Sequence, residues 1–283
     1  MTLTGAARLA GVMGWPVAHS LSPRLHGYWL TKYAVDGAYL PLPVRPESFA
    51  DAVRGLAALG FAGANVTVPH KVAALAVVDV ATPQARRIGA VNTIVIAPDG
   101  AMTGDNTDAA GFIANLTACH ADWRPEAGPA VVLGAGGAAR AVAVALLDAG
   151  VPSIRLINRT ISRAEDLAAD LGAGVDTAGW SDRAAALADA ALLVNTTVLG
   201  MAGKPPLDLD LDALPRDAAV YDIVYTPLET DLLRRAAARG HPVVDGLGML
   251  LHQAAPGFAA WFGVAPEVDD GLRTHVLAGL TGA

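Results

Sequence analysis

The sequence predicts an α/β fold built as two domains, the second of which is a doubly wound unit. Strand-like apolar runs alternate with helix-length periodic segments along the chain, a pattern typical of parallel α/β architecture. A glycine-dense turn follows a short apolar strand near the midpoint of the chain. The 283 residues are enough for two such domains. The polar stretch at 122–128, marked by Pro and Gly, is the predicted boundary.

The composition narrows the class of function. Hydrophobic residues make up 53% of the chain and charged residues 17%, so we expect a folded protein with large cores. The net charge of −7 argues against nucleic acid or an anionic membrane as the main partner, but it leaves room for a small anionic substrate. The single Cys119 cannot form an internal disulfide, and no Cys/His cluster has metal-ligand spacing. We recognise no leader and no membrane span, and therefore expect a soluble, cytoplasmic protein with no metal.

The first half of the chain alternates strands with helices and closes with a hairpin. Strands are predicted at 8–13, 38–43, 64–67 and 93–97. Helices are predicted at 23–33, at 46–59, in a short piece after Pro69, and at 84–88. The turn Pro98-Asp99-Gly100 with Met102-Thr103 predicts the hairpin. A helix from 107 to about 119 then leads to the boundary.

From residue 130 the alternation is regular. Strands are predicted at 130–133, 154–157, 191–195, 219–224 and 242–244. The helices between them are predicted near 138–149, 161–171, 182–188 and 229–239. Two final helices, near 249–262 and 267–279, have no strand left to pair with. We expect them to pack on the first half of the chain, which makes the first domain discontinuous.

The glycine turn has the spacing G-x-G-x-x-A at Gly134, Gly136 and Ala139. Gly134 permits the tight turn, Gly136 lets a pyrophosphate approach the backbone, and Ala139 lets the helix pack closely on the strand. The N-terminus of the following helix offers unpaired N–H groups to phosphates. The motif alone does not separate a nucleotide site from a glycine turn without a ligand.

The strand after this turn ends in Asn158-Arg159-Thr160, followed by Arg163 in the next helix. An Asp or Glu near this position would select NAD by holding the ribose 2′-hydroxyl. None is present here, and two arginines at a helix N-terminus with Thr160 as its cap are suited to the 2′-phosphate of NADP. Two ordinary surface arginines are the alternative.

Two serines, Ser20 and Ser22, precede a predicted helix. With Ser22 as N-cap and Pro23 at the first helical position, the helix start accounts for Ser22 but leaves Ser20 unexplained. Two hydroxyl groups at this place form a candidate cradle for a carboxylate.

Lys71 and Asp108 are the candidate pair for proton transfer. With Pro69 at the first helical position, Lys71 falls in the first turn, where a cation opposes the helix dipole and needs a compensating partner. Asp108 stands at the start of another helix, where Asn106 or Thr107 is the cap and a carboxylate is favoured. A Lys–Asp pair can hold a substrate hydroxyl and exchange its proton. A solvated lysine and a helix-start carboxylate remain the alternatives. Gln253, in an otherwise apolar helix, is expected to bond either core backbone or substrate hydroxyls.

Over nearly its whole length the chain resembles the shikimate dehydrogenase family. The segments that carry the resemblance are Ser20-Leu21-Ser22-Pro23, Asn65-Val66-Thr67-Val68-Pro69-His70-Lys71, Gly89-Ala90-Val91-Asn92-Thr93, Asn106-Thr107-Asp108, 134–140, Asn158-Arg159-Thr160, 195–201 and 248–253. The resemblance implies reversible reduction of 3-dehydroshikimate to shikimate with NADPH, in the pathway to chorismate and the aromatic amino acids. It also implies a substrate domain of residues 1–108 and 245–283, a Rossmann-like NADP-binding domain of residues 109–244, and a cleft between them.

The resemblance assigns a role to each matching position. Lys71 and Asp108 would be the catalytic pair, and Ser20 and Ser22 would hold the substrate carboxylate. The other substrate contacts that it implies are Thr67, Asn92 and Gln253, on ring hydroxyls, and Tyr225. The cofactor contacts that it implies are Gly134, Ala135, Gly136, Gly137, Ala138, Asn158, Arg159, Thr160, Arg163, Thr196, Met201, Gly246 and Met249, with Met201 and Met249 flanking the nicotinamide.

One residue departs from the family pattern, because Gly27 stands where an Asn is expected after Leu25-His26. It puts contacts near the first helix in doubt, but not the reaction. A quinate/shikimate or aminoshikimate dehydrogenase on the same scaffold stays open, as does a non-catalytic NADPH-binding regulator. Both a monomer and a homodimer stay open too.

Overall fold

The computed structural model describes residues 3–280. The chain forms two compact units, one of residues 1–108 and 250–283 and the other of Ala109–Met249. Residues 1–2 and 281–283, at the ends of the predicted first domain, lie outside the described residues. Each unit is built from strands and helices around one six-stranded sheet, which confirms the predicted α/β class. Within the described part of the chain, every helix is too short or too polar to traverse a lipid bilayer.

The first unit contains most of the predicted elements of the first half. Its strands and helices up to the second unit are β1 Arg8–Gly14, α1 Ser22–Lys32, β2 Gly37–Pro43, α2 Phe49–Ala58, β3 Gly63–Val66, α3 Lys71–Ala74, β4 Val80–Ala81, α4 Pro83–Ile88, β5 Thr93–Ile96 and β6 Met102–Asp105. The predicted helix at 46–59 begins as a 3-10 turn over Pro46–Ser48 before it becomes α2. The two-residue strand β4 had no sequence signal, since it is too short to show alternation.

The sheet of the first unit is mixed, with the strand order β2-β1-β3-β5-β6-β4. β1 runs parallel to β2 and β3, whereas β5 is antiparallel to both β3 and β6. The register places Met13 beside Val66, and Thr93 opposite both Asn65 and Asp105. The ends of β1, β3 and β6 and the beginning of β5 therefore meet at one edge of the sheet. The loops that carry the candidate site residues of the first half leave from this edge.

The second unit follows in chain order. Its elements are α5 Asp108–Cys119, β7 Ala130–Leu133, α6 Gly137–Ala149, β8 Ile154–Asn158, α7 Ile161–Leu171, β9 Val175–Gly179, β10 Leu192–Asn195, β11 Ala219–Asp222, α8 Asp231–Ala238 and β12 Val243–Val244. The predicted helix at 182–188 is wrong, because this segment contains only the 3-10 turns Trp180–Asp182 and Ala185–Leu187. Its alanines favour a helix, but a segment this short gains little from propensity alone.

The sheet of the second unit is parallel throughout, with the order β12-β11-β10-β7-β8-β9. Strand β9 was not predicted, because it pairs only with β8 at the sheet edge and has no apolar run. Counted from β7, this is the strand order of a doubly wound dinucleotide-binding sheet. The strand order reverses between β7 and β10, and ligands of such sheets bind outside the carboxyl ends of the strands at that point.

Helices α9 (Leu247–Phe262) and α10 (Asp270–Leu277) end the described chain, and the boundary between the units falls inside α9. The part of α9 that belongs to the first unit contacts that unit's sheet through Trp261, whose Nε1–H donates to the Ile94 carbonyl at 2.9 Å. Gly63 allows this contact, since a methyl group added there would lie 2.3 Å from Trp261 Nε1. The expected packing of the last helices on the first half is therefore confirmed for this contact.

Candidate active site

The two serines lie in the loop after β1 and at the start of α1. Ser22 is the first residue of α1, and Leu21, which precedes it, provides no side-chain cap. The Ser20 hydroxyl instead accepts the Ser22 backbone N–H at 3.3 Å. The prediction of Ser22 as N-cap with Pro23 at the first helical position is therefore wrong by one residue, since Leu21 is the N-cap, Ser22 the first helical residue and Pro23 the second. Ser22 is buried and Ser20 half-buried.

Thr67 and Lys71 follow β3 at the same sheet edge. The His70 N–H donates to the Thr67 carbonyl at 2.9 Å, and α3 begins only at Lys71. Pro69 therefore precedes the helix, so its predicted place at the first helical position is wrong, but Lys71 does fall in the first turn. Within residues 3–280 the half-buried Thr67 side chain has no hydrogen-bond partner. A methyl group at Gly14 would lie 2.5 Å from Thr67 Cγ2, so glycine there leaves space for this side chain.

Lys71 and Asp108 form an ion pair, with Lys71 Nζ 2.5 Å from Asp108 Oδ2. The exposed fractions of the two side chains are 18% and 6%. The other carboxylate oxygen, Asp108 Oδ1, accepts from Asn92 Nδ2 at 2.8 Å. The Asp108 backbone N–H donates to Asn106 Oδ1 at 3.1 Å, so Asn106 is the residue that caps this helix start. The Lys71 ammonium group therefore contacts one oxygen of the Asp108 carboxylate, and Asn92 donates a hydrogen bond to the other oxygen.

Asn92 connects this pair to Gln253. Its amide nitrogen also contacts Gln253 Oε1 at 3.2 Å, and its Oδ1 accepts from the Thr107 backbone N–H at 2.9 Å. Thr107 in turn donates from Oγ1 to the Gln253 carbonyl at 2.8 Å. Gln253 Nε2 donates to the Leu250 carbonyl at 3.0 Å. Of the two kinds of partner expected for Gln253, the structure shows the protein's own polar groups.

The structure therefore brings most of the predicted substrate residues to one sheet edge of the first unit. These residues are Ser20, Ser22, Thr67, Lys71, Asn92, Asp108 and Gln253. Tyr225 belongs to the second unit, where it is half-buried, and burial raises the pKa of its phenol.

Asn65 and Thr93 have no predicted role, although both lie in the segments that carry the resemblance. Asn65 Nδ2 donates to Thr93 Oγ1 at 3.2 Å, and Thr93 Oγ1 donates to Asn92 Oδ1 at 2.9 Å. Their signal was a polar side chain inside an apolar strand, which must find a buried partner.

In the second unit, the glycine turn has the geometry of a phosphate site. Gly134 has a φ of +111°, and a methyl group there would lie 2.5 Å from Thr196 Oγ1. Thr196 itself donates from Oγ1 to the Leu133 carbonyl at 2.6 Å. Its hydroxyl therefore stabilises the glycine turn at the point where the strand order reverses. Gly136 precedes α6 and faces open space.

Gly137 and Ala138 are the first two residues of α6, and the first helical turn contains no acidic residue. Ala135 lies before them, in the glycine turn between β7 and α6. The first N–H groups of a helix have no partner within it. The turn therefore fits a pyrophosphate.

Arg159 and Arg163 flank the start of α7, and both are exposed. Among the described residues neither has an ion-pair partner. Asn158 Nδ2 donates to the Thr160 carbonyl at 2.8 Å, which shapes the turn. Thr160 occupies the N-cap position of α7, as predicted, but its side chain makes no capping hydrogen bond there. Two unpaired guanidinium groups beside a helix N-terminus fit a dianionic phosphate.

We expect Arg159→Ala to raise the KM for NADPH by about 10–100-fold, the range for a lost charge-assisted hydrogen bond. The KM for NADH should change little, because NADH has no 2′-phosphate. Steady-state kinetics with both cofactors measure the ratio. Arg234→Ala, an exposed arginine of α8, is the matched control and should leave both values unchanged. An equal change for NADPH and NADH in Arg159→Ala would contradict contact with the 2′-phosphate.

The remaining cofactor candidates lie in two loops and a helix of the second unit. Met201 is half-buried in the loop after β10, and Met249 is buried in α9. Gly246 is required by packing, because a methyl group there would lie 2.2 Å from the Ile223 carbonyl oxygen. Among the described residues, no group of three or more His, Cys, Asp or Glu side chains could hold a metal ion.

Asp222 fixes the loops after β10 and β11. This fully buried carboxylate accepts from Asn195 Nδ2 at 2.9 Å, from the Val224 N–H at 3.1 Å and from Thr230 Oγ1 at 2.7 Å. Asn195 Oδ1 accepts in turn from the backbone N–H of Thr197 at 3.0 Å. Burial raises the pKa of Asp222 to about 6, although its hydrogen bonds oppose the shift.

The raised pKa of Asp222 predicts a loss of stability as the pH rises. The carboxyl of the unfolded chain has its ordinary pKa of 3.8, but the pKa in the folded protein is about 6. The neutral carboxyl therefore stabilises the folded state at low pH, and this stabilisation is lost as the pH rises from about 4 to 6. Between pH 4.5 and pH 7.5 we expect wild type to lose about 2 kcal/mol of unfolding free energy relative to Asp222→Asn. Urea unfolding of both proteins at both pH values measures this difference. A pH-independent difference would show that Asp222 ionises normally in the fold.

Comparison with known proteins gives three matching family descriptions along the chain. They are "Shikimate dehydrogenase substrate binding domain" over residues 12–94, "Shikimate / quinate 5-dehydrogenase" over residues 124–199 and "Shikimate 5'-dehydrogenase C-terminal domain" over residues 246–273. A protein named shikimate dehydrogenase (NADP(+)) from Paramagnetospirillum magneticum is 62% identical, over 98% of this chain and 100% of that protein.

Two solved structures share the fold closely. Shikimate 5-dehydrogenase from Thermus thermophilus, in complex with NADP(H) and shikimate, matches with a TM-score of 0.86 and 38% identity, over 96% of this chain and 100% of that chain. Quinate dehydrogenase from Corynebacterium glutamicum, in complex with NAD, matches with a TM-score of 0.89 and 32% identity, over 96% of this chain and 99% of that chain.

Proposed function

The chain belongs to the shikimate dehydrogenase family, and from this we propose that Lys71 and Asp108 carry its proton chemistry. The reaction is the reversible, NADPH-dependent reduction of 3-dehydroshikimate to shikimate, a step of the pathway to chorismate and the aromatic amino acids. The observation that supports the site is the Lys71–Asp108 ion pair, whose Nζ lies 2.5 Å from a carboxylate held by Asn92.

Reduction of a ketone adds a hydride to carbon and a proton to oxygen. When bound, NADPH supplies the hydride. The Lys71 ammonium is the proton donor to the substrate oxygen as negative charge develops there, and in the reverse direction the Lys71 amine accepts the proton. Asp108 holds Nζ in place and compensates its charge, and it receives a second hydrogen bond from Asn92.

The substrate contacts of the first unit follow from the same arrangement. Ser20 and Ser22 are proposed to bind the carboxylate, because their hydroxyls stand at the start of α1, where an anion is favoured. Thr67 is proposed to bind a ring hydroxyl through its unpaired Oγ1. Asn92 and Gln253 are proposed to do the same, and their present contacts with each other would have to yield to the substrate. Tyr225 is the proposed contact from the second unit.

The cofactor is proposed to bind along the second unit. Residues 134–138 would hold the pyrophosphate, and residues 158–160 with Arg163 the 2′-phosphate. Met201 and Met249 would flank the nicotinamide, and Thr196 and Gly246 would be further cofactor contacts. The open space at Gly136 and the unpaired Arg159 support this assignment.

Quinate is the competing substrate, since a quinate dehydrogenase with NAD shares the fold at a TM-score of 0.89. The serine pair and the arginines of residues 158–163 favour shikimate with NADP. Activity of the purified protein on shikimate and on quinate, each with NADP and NAD, separates the two. Turnover mainly of quinate with NAD would overturn the assignment, and tight NADPH binding without turnover of either acid would point to a regulator.

We further propose that the enzyme acts in the cytoplasm as a small-molecule enzyme with no nucleic-acid partner. The net charge of −7 and the single cysteine support this. Sedimentation equilibrium would decide between a monomer and a homodimer.

A further inference from the structure

Asn115 has no role in the reaction described so far, yet its side chain holds the turn that carries a proposed cofactor contact. It lies in α5 and is 2% exposed. Its Nδ2 donates one hydrogen to the Tyr221 hydroxyl and the other to the Asp245 backbone carbonyl, both at 2.7 Å. A carbonyl oxygen can only accept, so the contact with Asp245 fixes the orientation of the amide. Both amide hydrogens are therefore used inside the protein.

Tyr221 provides a rigid partner for this amide. It is fully buried in β11, a strand of the sheet of the second unit. Its ring stacks on Phe112, which precedes Asn115 by one turn of α5, with centroids 4.6 Å apart and planes 13° from parallel. The stack fixes the plane of the Tyr221 ring, and thereby the position of its hydroxyl. One side of the Asn115 amide is therefore anchored to the sheet, and its other hydrogen is directed at Asp245.

The amide oxygen of Asn115 packs on the beginning of α9. A methyl group added at Gly248 would lie 1.7 Å from Asn115 Oδ1, and its three nearest atoms would all belong to Asn115. The φ of Gly248 lies outside the left-handed region, so close approach and not backbone conformation requires glycine there. Asn115 therefore contacts the turn of residues 245–248 at both of its ends, at the Asp245 carbonyl and at Gly248.

The turn held in this way joins β12 to α9. It contains Gly246, and Met249 follows it directly. The Leu247 N–H donates to Asp245 Oδ1 at 2.9 Å, which closes the turn at the start of the helix. On another side, Gly246 lies against the backbone that follows β11, where a methyl group would not fit. The turn cannot shift without breaking the hydrogen bond from Asn115 and leaving a buried amide unpaired. Asn115 therefore fixes the place from which Met249 starts.

We propose that Asn115 is a positioning residue for the nicotinamide half of the cofactor, because it fixes residues 245–248 and thereby the places of Gly246 and Met249. This inference rests on the proposed function, since it takes Gly246 and Met249 as cofactor contacts. Asn115 is not a catalytic residue, because it is buried and both its amide hydrogens are bonded within the protein. The hydrogen bonds described for Asn115 do not involve residues 158–163, which are proposed to hold the 2′-phosphate. Binding of the adenosine half should therefore not depend on Asn115.

The test compares two ligands in Asn115→Ala. One is NADPH, and the other is adenosine 2′,5′-bisphosphate, which has the 2′-phosphate but no nicotinamide. We expect the Kd for NADPH, measured by calorimetry, to rise about tenfold. The Kd for the bisphosphate should stay within about twofold of that of wild type, because this ligand does not extend to the turn.

Tyr221→Phe is the matched control. It removes the other partner of the Asn115 amide and keeps the stack on Phe112, but it leaves the hydrogen bond to Asp245 in place. Its cost in stability should resemble that of Asn115→Ala, since a buried polar group loses its partner in both variants. Its Kd for NADPH should nevertheless stay within about twofold of that of wild type.

Gly248→Ala disturbs the same contact from the other side. The added methyl group would displace the Asn115 side chain, so we expect the Kd for NADPH to rise by a factor similar to that in Asn115→Ala. When both substitutions are combined the collision is absent, and Gly248→Ala should add little to the effect of Asn115→Ala. Thermal unfolding shows whether each variant is folded. If Asn115→Ala is not, Gly248→Ala allows the same comparison of the two ligands.

An unchanged Kd for NADPH in the folded Asn115→Ala variant would overturn the proposal. An equal rise in the Kd for the bisphosphate would overturn it too, because Asn115 would then support the whole unit and not one half of the cofactor. Full additivity with Gly248→Ala, or the same loss in Tyr221→Phe, would have the same consequence. Wild type separates these failures from that of the function itself. If wild type neither binds NADPH nor turns over shikimate with NADP, the proposed function fails, whereas wild-type binding that Asn115→Ala retains in full rejects only the positioning role.

Discussion

Replacement of Lys71 by alanine is expected to lower kcat by about 10²–10⁴-fold, the usual contribution of a positioned general acid. The Lys71 Nζ lies 2.5 Å from Asp108 Oδ2 and is the cation of the pair. Without it, charge developing on the substrate oxygen has no proton donor at that place. Asp108→Ala should lower kcat by a similar factor, and the double variant should be little worse than either, because residues that act as a unit are not additive. Steady-state and single-turnover kinetics with shikimate and NADP measure these effects.

Lys32→Ala is the matched control for this experiment. Lys32 also pairs with a carboxylate, Asp269 at 2.6 Å, but that pair lies between α1 and the start of α10, away from the sheet edge that carries the site. Its kcat should stay near that of wild type. Removing Lys71 leaves the buried Asp108 unpaired and costs stability, so circular dichroism must first show that the variant is folded. Near-wild-type kcat in both Lys71→Ala and Asp108→Ala would remove the pair from the mechanism.

Gly63→Ala is expected to destabilise the protein by about 4 kcal/mol, through overpacking and backbone strain together. The added methyl group would lie 2.0 Å from the Ile94 carbonyl oxygen and 2.3 Å from Trp261 Nε1. The Trp261 N–H donates to that same carbonyl, so this hydrogen bond would be lost as well. The φ of Gly63 is +150°, which an L residue rarely adopts. Urea unfolding, followed by tryptophan fluorescence, measures the loss.

Gly55→Ala provides the control of opposite sign. Gly55 lies in α2, and a methyl group there meets no atom within 4 Å. Alanine should therefore stabilise this helix by up to about 1 kcal/mol, because glycine is the poorer helix former. If Gly63→Ala proved as harmless as Gly55→Ala, the close approach of Trp261 to β3 would not exist in solution.

The sequence predicted most elements of both units, because strands buried in a sheet and amphipathic helices have clear periods. The sequence did not predict β4, which has only two residues, or β9, which lies at the edge of its sheet. It also predicted a helix where residues 180–187 form only 3-10 turns. Helix starts were also displaced. Ser22 is the first residue of α1 and not its N-cap, and α3 begins two residues after Pro69. Capping rules identify a helix start, but the loop geometry decides which residue makes the contact.

The candidate site was predicted as separate motifs, and the register of the sheet explains why they meet. Thr93 lies opposite both Asn65 and Asp105, an arrangement that depends on β5 being antiparallel. The hairpin turn Pro98-Asp99-Gly100 indicates that β5 is antiparallel to β6. No local pattern indicates that β5 is also antiparallel to β3, since that pairing is set by contacts distant in the chain.

The hydrogen bond from Trp261 to Ile94 joins residues 167 positions apart, and the one from Thr107 to Gln253 spans 146. During synthesis the second unit, Ala109–Met249, is complete as soon as its own residues have left the ribosome. The first unit must wait for the last helices, although its sheet was made first. The unit proposed to bind the cofactor is therefore expected to fold before the unit proposed to bind the substrate, and removal of residues 250–283 should abolish shikimate binding while NADPH binding survives.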